Sequence, residues 1–379
     1  MNWILPTPTF KYGPEILNIM LSAKQIAQLR EEIETAQNPL FIHDSDADGL
    51  CSFLLLYKIR REGKNFIFKA APKLDATFLP KMASYNADKV FILDVPKVDQ
   101  EFIDGIKVPV FWIDHHQPLK RHNVNYFNPR IKEPDAYIPT TRMSYQVSEN
   151  PDDIWIATAG CLGDWHMPDF IDQFVEKYPH LLAKGSSLPE AVFKQPVGRL
   201  VKMFFFLLKG PTADVRQSVK VLTRITSPDE ILNQETPQGK FLYKRFFSIN
   251  QKYELLLKEA RKHATSSPIL FFPYLDDQWS FTANLANELT VLYPKKVIIV
   301  GRRKSGEMKC SLRAQFAIDK ALAKALEGVQ GYGGGHPNAC GAVIKEHDWD
   351  RFLAGLKREL KQELKQEFKQ ELKQEIKNG

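Results

Sequence analysis

Three apolar runs in the N-terminal part of the chain each end in residue types that bind metal ions. The runs are followed by His-Asp-Ser-Asp-Ala-Asp-Gly at 43–49, by Asp94, and by Asp-His-His at 114–116. Short apolar runs bounded by polar residues are typical of buried strands. Because carboxylates and imidazoles are costly to bury without partners, their recurrence at the same end of three strands indicates one shared site.

The segment from Leu40 to Asp164 alternates strand and helix patterns, which is typical of βαβ units and a mostly parallel sheet. In such sheets the carboxyl ends of the strands meet at one edge, where ligands bind. A further apolar stretch, 154–159, leads to Gly160 and Asp164. The strands expected from the pattern are 40–43, 66–70, 90–94 and 108–113, and the helices are 49–61, 76–85 and 98–105.

The rest of the chain divides into a helical segment and a second alternating segment. The pattern predicts a four-part α/β protein: a catalytic domain at 1–167, a helical connector at 168–265, a smaller α/β domain at 266–348 and a C-terminal helix at 349–379. In the smaller domain we expect strands at 268–274, 296–301 and 307–313, helices at 281–292 and 316–327, and a glycine loop at 331–336.

The tail from Leu356 to Lys377 repeats Lys-Gln-Glu with an apolar residue at every fourth position. A period of four exceeds the helical 3.6, so the apolar column rotates by about 40° per repeat and forms no sustained straight seam. We therefore expect a largely solvated helix. A helix that binds a partner protein or a second copy of the chain is the alternative.

Charge and cysteine usage limit the partners and the compartment. A formal net charge of +7 and a pI near 9.0 favour a polyanionic partner. The four cysteines have no paired spacing, which favours a reducing cytoplasm. The N-terminal sequence resembles no secretion signal, and no apolar run is long enough to span a bilayer, so we expect no membrane association.

The clustered carboxylates and imidazoles predict a site for two divalent cations. Oxygen ligands suit Mn²⁺ or Mg²⁺, and neutral histidine shifts the preference towards Mn²⁺, Co²⁺ or Zn²⁺. Two ions about 3.5–4 Å apart can activate water and neutralise a scissile phosphate. Simpler roles remain open for single residues, since an aspartate after a strand is often a helix cap and His43 could be a core histidine.

Four ordered motifs resemble those of the DHH phosphoesterase superfamily. They are Asp-Ser-Asp-Ala-Asp-Gly at 44–49, Asp94, Asp-His-His at 114–116 and Gly-Asp at 163–164. Gly-Gly-Gly-His at 333–336 resembles the signature of the companion DHHA1 domain. The similarity covers roughly residues 40–165 and 268–345 and is nearest to the RecJ-like exonucleases of archaeal type.

The resemblance implies a role for each matching residue. One metal ion would be bound by Asp46 with His43, where Asp44 is the alternative, and Asp94 would bridge the two ions. The other ion would be bound by Asp48, His115 and Asp164. The implied catalytic residues are Asp114, which orients an imidazole, and His116, which faces the phosphate. The implied substrate-binding residues are Arg313, Gly333, Gly334, Gly335 and His336.

The expected function is therefore removal of nucleotides from an end of single-stranded DNA or RNA by two-metal hydrolysis. Hydrolysis of short oligonucleotides or cyclic dinucleotides is a second enzymatic hypothesis, because related two-domain proteins perform it. The non-enzymatic hypothesis is a replication-associated scaffold of the same superfamily.

Overall fold

The computed structural model describes residues 19–69, 71–275 and 279–378, with side chains described up to Lys365. Residues 1–18 of the predicted catalytic domain lie outside the described residues. Contacts within the chain divide it into two compact units, and the division falls between Phe247 and Ser248. None of the described helices combines the length and apolar character needed to cross a membrane.

The first unit contains a five-stranded sheet in which all neighbouring strands are parallel. The strand order is β2-β1-β3-β4-β5. The fifth strand, which the sequence pattern did not predict, is only three residues long. The strands are β1 Pro39–Asp44, β2 Lys64–Phe68, β3 Lys89–Leu93, β4 Val110–Ile113 and β5 Asn125–Phe127.

Helices connect and cover these strands, as the alternating pattern predicts. The apolar stretch before Asp164 forms a buried helix, so Asp164 follows a helix rather than a strand. These helices are α1 Ala23–Thr35, α2 Ala47–Arg60, α3 Leu79–Ala83, α4 Gln100–Gly105, α5 Thr140–Ser148 and α6 Ile154–Gly163.

A ladder of phenylalanines aligns the three central strands. Phe41 pairs with Phe91 in the strand register, and Phe91 pairs with Phe111. Their rings stack with centroids 5.2 and 5.1 Å apart. All three are buried, and stacked aromatic pairs on neighbouring strands stabilise one register over its alternatives.

The register brings the polar strand ends to one level. His43 pairs with Leu93, and Leu93 pairs with Ile113. The next residues along these strands are Asp44, Asp94 and Asp114. Three carboxylates therefore form a row across the carboxyl edge of the sheet.

The helical segment after Asp164 packs on the first unit up to Phe247. Helix α9 contacts both α2 and α6, which carry ligand candidates at their ends. The long helix α12 contains the division between the two units. The helices are α7 Ile171–Lys177, α8 Leu188–Phe193, α9 Pro196–Leu207, α10 Thr212–Leu222, α11 Pro228–Leu232 and α12 Pro237–Lys262.

The second unit contains a mixed five-stranded sheet with the order β6-β7-β8-β10-β9. The prediction of a glycine loop at 331–336 is wrong, because this segment is the exposed edge strand β9 and pairs with β10. The elements are β6 Ile269–Leu275, α13 Thr282–Leu292, β7 Val297–Lys304, β8 Glu307–Arg313, α14 Asp319–Leu326, β9 Gly331–His336, β10 Ala339–Lys345 and α15 Trp349–Asn378.

The first half of α15 belongs to the core of this second unit. Phe352, Leu356 and Leu360 are fully buried, and Leu364 is 7% exposed. The expectation of a largely solvated tail is therefore wrong for this half. Three steps of about 40° rotate the apolar column by about 120°, which an apolar stripe facing a core can still cover.

Candidate metal centre

The first ligand motif is built into the start of helix α2. Asp46 is the N-cap residue, and one of its carboxylate oxygens accepts a hydrogen bond from the Gly49 amide at 2.9 Å. The helix begins at Ala47, so Asp48 lies in its first turn. A Cβ atom at Gly49 would lie 2.7 Å from the carbonyl oxygen of Asp44, so this approach of helix to strand requires glycine.

Asp48 is held by the N-terminus of a second helix. Its two carboxylate oxygens accept hydrogen bonds from the backbone amides of Thr140 and Thr141, at 2.9 and 2.7 Å. Amides in the first turn of a helix such as α5 have no carbonyl partner within the helix, and they favour a negatively charged group as acceptor. Neither threonine was expected at the site.

Asp94 lies at the end of β3 with its backbone in the left-handed region, at a φ of 60°. Its side chain is buried, and one carboxylate oxygen is 3.4 Å from the Thr140 hydroxyl, which donates to it. Aspartate tolerates this conformation better than most residues do. The turn directs the Asp94 carboxylate towards the candidate ligands of the neighbouring segments.

His115 directs one ring nitrogen at three carboxylates. Its Nε2 atom lies 3.3 Å from Asp94, 3.6 Å from Asp164 and 3.8 Å from Asp48, each measured to a carboxylate oxygen. The imidazole is nearly buried. An imidazole nitrogen among several carboxylate oxygens is the arrangement expected of a transition-metal ligand.

Asp164, after α6, is fixed by a tyrosine that the sequence pattern did not mark. The Tyr137 hydroxyl lies 2.9 Å from a carboxylate oxygen of Asp164 and 2.8 Å from its backbone carbonyl. The Tyr137 ring also lies edge-on to the His115 ring, with centroids 5.4 Å apart. No local signal identifies this residue, because its partners are distant along the chain.

Asp114 contacts His116 and orients its ring. Its carboxylate lies 2.8 Å from Nδ1 of His116 and also accepts a hydrogen bond from the His116 backbone amide. Asp114 is fully buried, whereas the side chain of His116 is 31% exposed. Burial lowers the pKa of His116, but the hydrogen bond to Asp114 and the charges of the nearby aspartates outweigh it and raise the pKa.

Among the described residues, three overlapping groups bring possible metal-binding atoms within 4.8 Å of one another. Asp94 and His115 each belong to two of them. The groups are Asp44, Asp46 and Asp94; Asp48, His115 and Asp164; and Asp94, His115 and His116.

His43 belongs to none of these three groups. Its Nδ1 atom lies 2.7 Å from the Asp44 carbonyl oxygen, and its ring stacks on Phe53 with centroids 5.1 Å apart. Burial lowers its pKa to about 4, so the ring is neutral. A ligand role for His43 stays a prediction, while the neighbouring Asp44 provides the carboxylate at this position.

The carboxylates repel one another strongly. Burial raises the pKa of Asp94 well above its ordinary range, and the charges of Asp48 and Asp46 raise it further. The pKa of Asp164 is raised for the same reasons, and burial with the charge of Asp46 raises the pKa of Asp44 to about 8. Divalent cations would relieve this repulsion, and oxygen with imidazole donors fits them. The residues present therefore fit a metal centre.

The residues predicted to bind substrate lie in the second unit. Arg313 is engaged within that unit, since its Nε donates to Asn287 at 2.6 Å and Nη1 donates to the Leu312 carbonyl at 2.8 Å. Burial lowers its pKa to about 10. Its role as a substrate ligand stays a prediction.

The glycine segment at 333–335 forms an exposed backbone surface on β9 together with His336. A Cβ atom at Gly335, which has a φ of 143°, would lie 2.4 Å from the Ala339 carbonyl oxygen. A Cβ atom at Gly333 would lie 2.8 Å from the Gly341 carbonyl oxygen, whereas Gly334 has open space. Pairing with β10 therefore excludes side chains at the first and last of the three glycines.

Comparison with protein families identified two matches. Residues 40–163 match the DHH family, N-terminal domain, and residues 275–378 match the DHHA1 domain. The first match contains every candidate metal ligand except Asp164, which follows it directly. No curated protein gave a significant match.

Similar solved structures share the fold at low identity. RecJ from Thermus thermophilus in complex with Mn²⁺ matches 87% of this chain with a TM-score of 0.62 and 16% identity. This chain spans 53% of that RecJ chain, so about half of its length. An exonuclease RecJ bound to manganese matches 87% of this chain and 92% of its own, with a TM-score of 0.57 and 15% identity.

An exopolyphosphatase-related protein from Bacteroides fragilis also matches. It covers 91% of this chain and 98% of its own, with a TM-score of 0.52 and 12% identity. At such identities these matches show a common fold.

Proposed function

Because the chain belongs to the DHH/DHHA1 superfamily, we propose that it is a metal-dependent phosphodiesterase that removes nucleotides from an end of single-stranded DNA or RNA. The observation that carries this proposal is the overlap of the ligand groups. Asp94 forms one group with Asp44 and Asp46 and another with His115 and His116, so its carboxylate could be shared by neighbouring cations, whereas an imidazole nitrogen binds only one ion. Shared carboxylates are a feature of two-metal phosphoesterase sites.

Two groups would hold the two cations. One consists of Asp44, Asp46 and Asp94, and the other of Asp48, His115 and Asp164. Nε2 of His115 lies 3.3 Å from a carboxylate oxygen of Asp94, so Asp94 could serve both cations. When bound, two divalent ions would neutralise the scissile phosphate and activate water for attack on phosphorus. We propose Mn²⁺ as the preferred ion, because one group combines imidazole with carboxylates, and Mg²⁺ or Co²⁺ as substitutes.

The protein side chains position these components. Asp114 engages Nδ1 of His116, and in the imidazolium form, which the raised pKa of His116 favours, Nε2 of that partly exposed ring can donate to a phosphate oxygen. Helix α5 fixes the Asp48 carboxylate through two backbone amides, and Tyr137 fixes Asp164. Ligands held by packed elements keep their geometry, which favours catalysis over mere binding.

In the second unit, the exposed glycine strand would contact phosphate groups of a nucleic acid. Backbone amides approach a phosphate most closely where side chains are absent, as at Gly333, Gly334 and Gly335. His336 would add a donor. The net charge of +7 supports a polyanionic substrate, and a cytoplasmic location is part of the same proposal.

Two alternatives share parts of this interpretation. Short oligonucleotides or cyclic dinucleotides would use the same metal chemistry. A scaffold protein would not need the metal ligands, and the carboxylates and imidazoles gathered here favour an enzyme. A partner protein or a second copy of the chain could still bind the distal part of α15.

The test is hydrolysis of end-labelled single-stranded DNA and RNA, each labelled at either end, with Mn²⁺ and with EDTA. We expect a ladder of products with Mn²⁺ and none with EDTA. Dinucleotides and cyclic dinucleotides are assayed in parallel, and faster turnover of these would favour the short-substrate alternative.

A pair of variants at the two residues that flank strand β3 provides a matched control. Asp94→Asn should lower turnover by at least about 100-fold, because a shared ligand is lost. Asp88→Asn changes the aspartate at the opposite end of the same strand and should retain activity. No hydrolysis of any of these substrates by the wild-type protein, or full activity of Asp94→Asn, would contradict the proposed function.

A further inference from the structure

The short strand β5 ends in an asparagine that contacts the Asp114–His116 pair. Ile113 pairs with Phe127, so Asn128 lies at the same level as Asp114 on the carboxyl edge of the sheet. Asn128 is 6% exposed. The row of strand ends thus continues from three aspartates to an amide.

The Asn128 side-chain nitrogen lies within hydrogen-bonding distance of three acceptors around the motif. It lies 2.9 Å from the backbone carbonyl oxygen of His116, 3.0 Å from the Tyr126 hydroxyl and 3.3 Å from the carboxylate of Asp114. The Tyr126 hydroxyl in turn lies 3.4 Å from the same carboxylate oxygen of Asp114. One amide group therefore joins the side chain of Asp114 to the backbone of His116.

The orientation of this amide is fixed from its other side. The Asn128 carbonyl oxygen accepts a hydrogen bond from the Arg130 backbone amide at 2.9 Å. A reversed amide would direct its NH₂ group at that N–H and its oxygen at the Asp114 carboxylate, and both contacts would be repulsive. The NH₂ group must therefore face the motif.

A second contact restrains Tyr126. Its ring stacks on Trp112 of β4, with centroids 4.0 Å apart. Trp112 is fully buried and donates its indole N–H to the Val95 carbonyl at 3.1 Å. Asp114 is therefore connected through Tyr126 to Trp112, a buried residue of the sheet core.

From this geometry we infer that Asn128 is a positioning residue for the reaction, which holds the Asp114–His116 pair so that His116 keeps one orientation towards the substrate phosphate. This inference rests on the proposed function for its catalytic consequence. Asn128 acts through Asp114 and the His116 backbone and does not itself touch substrate. Tyr126 assists it through the longer contact.

Two substitutions separate this role from a local structural one. Asn128→Ser keeps a short oxygen acceptor for the Arg130 amide but cannot reach the Asp114–His116 pair with an amide donor. Asn128→Ala loses both functions. Both the asparagine amide oxygen and the serine hydroxyl oxygen can accept the Arg130 hydrogen bond. Only the alanine variant should therefore destabilise the turn at 129–131.

We expect both variants to lower kcat by about 10- to 100-fold, as substitutions of residues that orient active groups commonly do. KM for single-stranded substrate and the dissociation constant for Mn²⁺ should change less than threefold, because Asn128 contacts neither. If Asn128 only capped the turn, Asn128→Ser would retain wild-type kcat. That result would overturn the inference.

A measurement without catalysis distinguishes this inference from the proposed function. In ¹H–¹⁵N spectra of histidine-labelled protein, the Nδ1–H proton of His116 bonded to Asp114 should give a downfield, exchange-protected signal. This signal should weaken or vanish in Asn128→Ser. It should persist in Lys107→Gln, because Lys107 lies before the amino end of β4, away from the carboxyl ends that carry the site. An unchanged signal in Asn128→Ser overturns the inference, whereas an inactive wild-type protein overturns only the proposed function.

Discussion

Replacing Asp94 with asparagine should stabilise the metal-free protein while destroying its response to metal. The side chain is buried in a group whose ligand atoms lie within 4.8 Å of one another. Its pKa is raised by burial and by the charges of Asp48 and Asp46. Asparagine matches its shape, carries no charge and tolerates the left-handed backbone at this position.

The size of the effect follows from Coulomb repulsion. Two unit charges 4.8 Å apart repel by roughly 3.5 kcal/mol at an effective dielectric constant of about 20. Asp94 escapes part of this repulsion by binding a proton. We therefore expect Asp94→Asn to raise the free energy of unfolding by about 1–3 kcal/mol at about pH 8 in EDTA.

The assay is urea unfolding of wild type and variant in EDTA and in Mn²⁺. Wild type should gain about 2.7 kcal/mol when Mn²⁺ is present at 100 times its dissociation constant, whereas the variant should gain little. The order of stability should therefore reverse between the two conditions.

Asp88→Asn is the control, because Asp88 accepts hydrogen bonds from the Gln37 and Asn38 amides and its pKa is lowered. That variant should be less stable than wild type in both conditions. If Asp94→Asn were less stable than wild type in EDTA, the claim of a repulsive carboxylate cluster would be wrong.

Four further outcomes can be measured. Burial and neighbouring charges raise the pKa of Asp44, Asp46, Asp94 and Asp164, to about 8 for Asp44, so the neutral forms that the fold favours are lost as pH rises. Urea unfolding should therefore show the metal-free protein losing stability from about pH 5 to pH 8, while stabilisation by Mn²⁺ grows. Gly49→Ala should cost about 1–3 kcal/mol of unfolding free energy, since its Cβ would meet the Asp44 backbone; wild-type stability would contradict this. Tyr137→Phe should weaken Mn²⁺ binding about 10- to 100-fold in calorimetry, and unchanged affinity would exclude a ligand-orienting role. Leu360→Ala should destabilise the second unit by about 2–5 kcal/mol in urea unfolding, whereas Lys361→Ala on the exposed side should change it by less than about 0.5 kcal/mol.

The parts of the site that could be predicted are those whose sequence pattern lies within a few consecutive residues. Apolar runs that end at His43, Leu93 and Ile113 predict strand ends, and the parallel arrangement then brings the following residues to one edge. The family resemblance and the fold agree with this reasoning. The parallel sheet, the helices that follow it and the second α/β region were all predicted, and most strand and helix bounds agree within a few residues.

The parts that were not predictable depend on contacts between distant segments. Tyr137, Thr140 and Asn128 are ordinary residue types in a sequence, and only the fold brings them against Asp164, Asp48 and Asp114. Strand β5 is too short for a periodic signal. The glycine segment lacks β-forming side chains, so pairing with β10 rather than propensity makes it a strand.

The row of strand ends also determines when the site can form during synthesis. Its candidate ligands extend from Asp44 to Asp164, with three strand crossovers between the first and the last strand of the row. A nascent chain that ends before α6 lacks Asp164, and loop closure over such separations is slow compared with local helix formation. Metal capture should therefore be a late event in biogenesis, so that the acidic segments leave the ribosome well before they can share a cation.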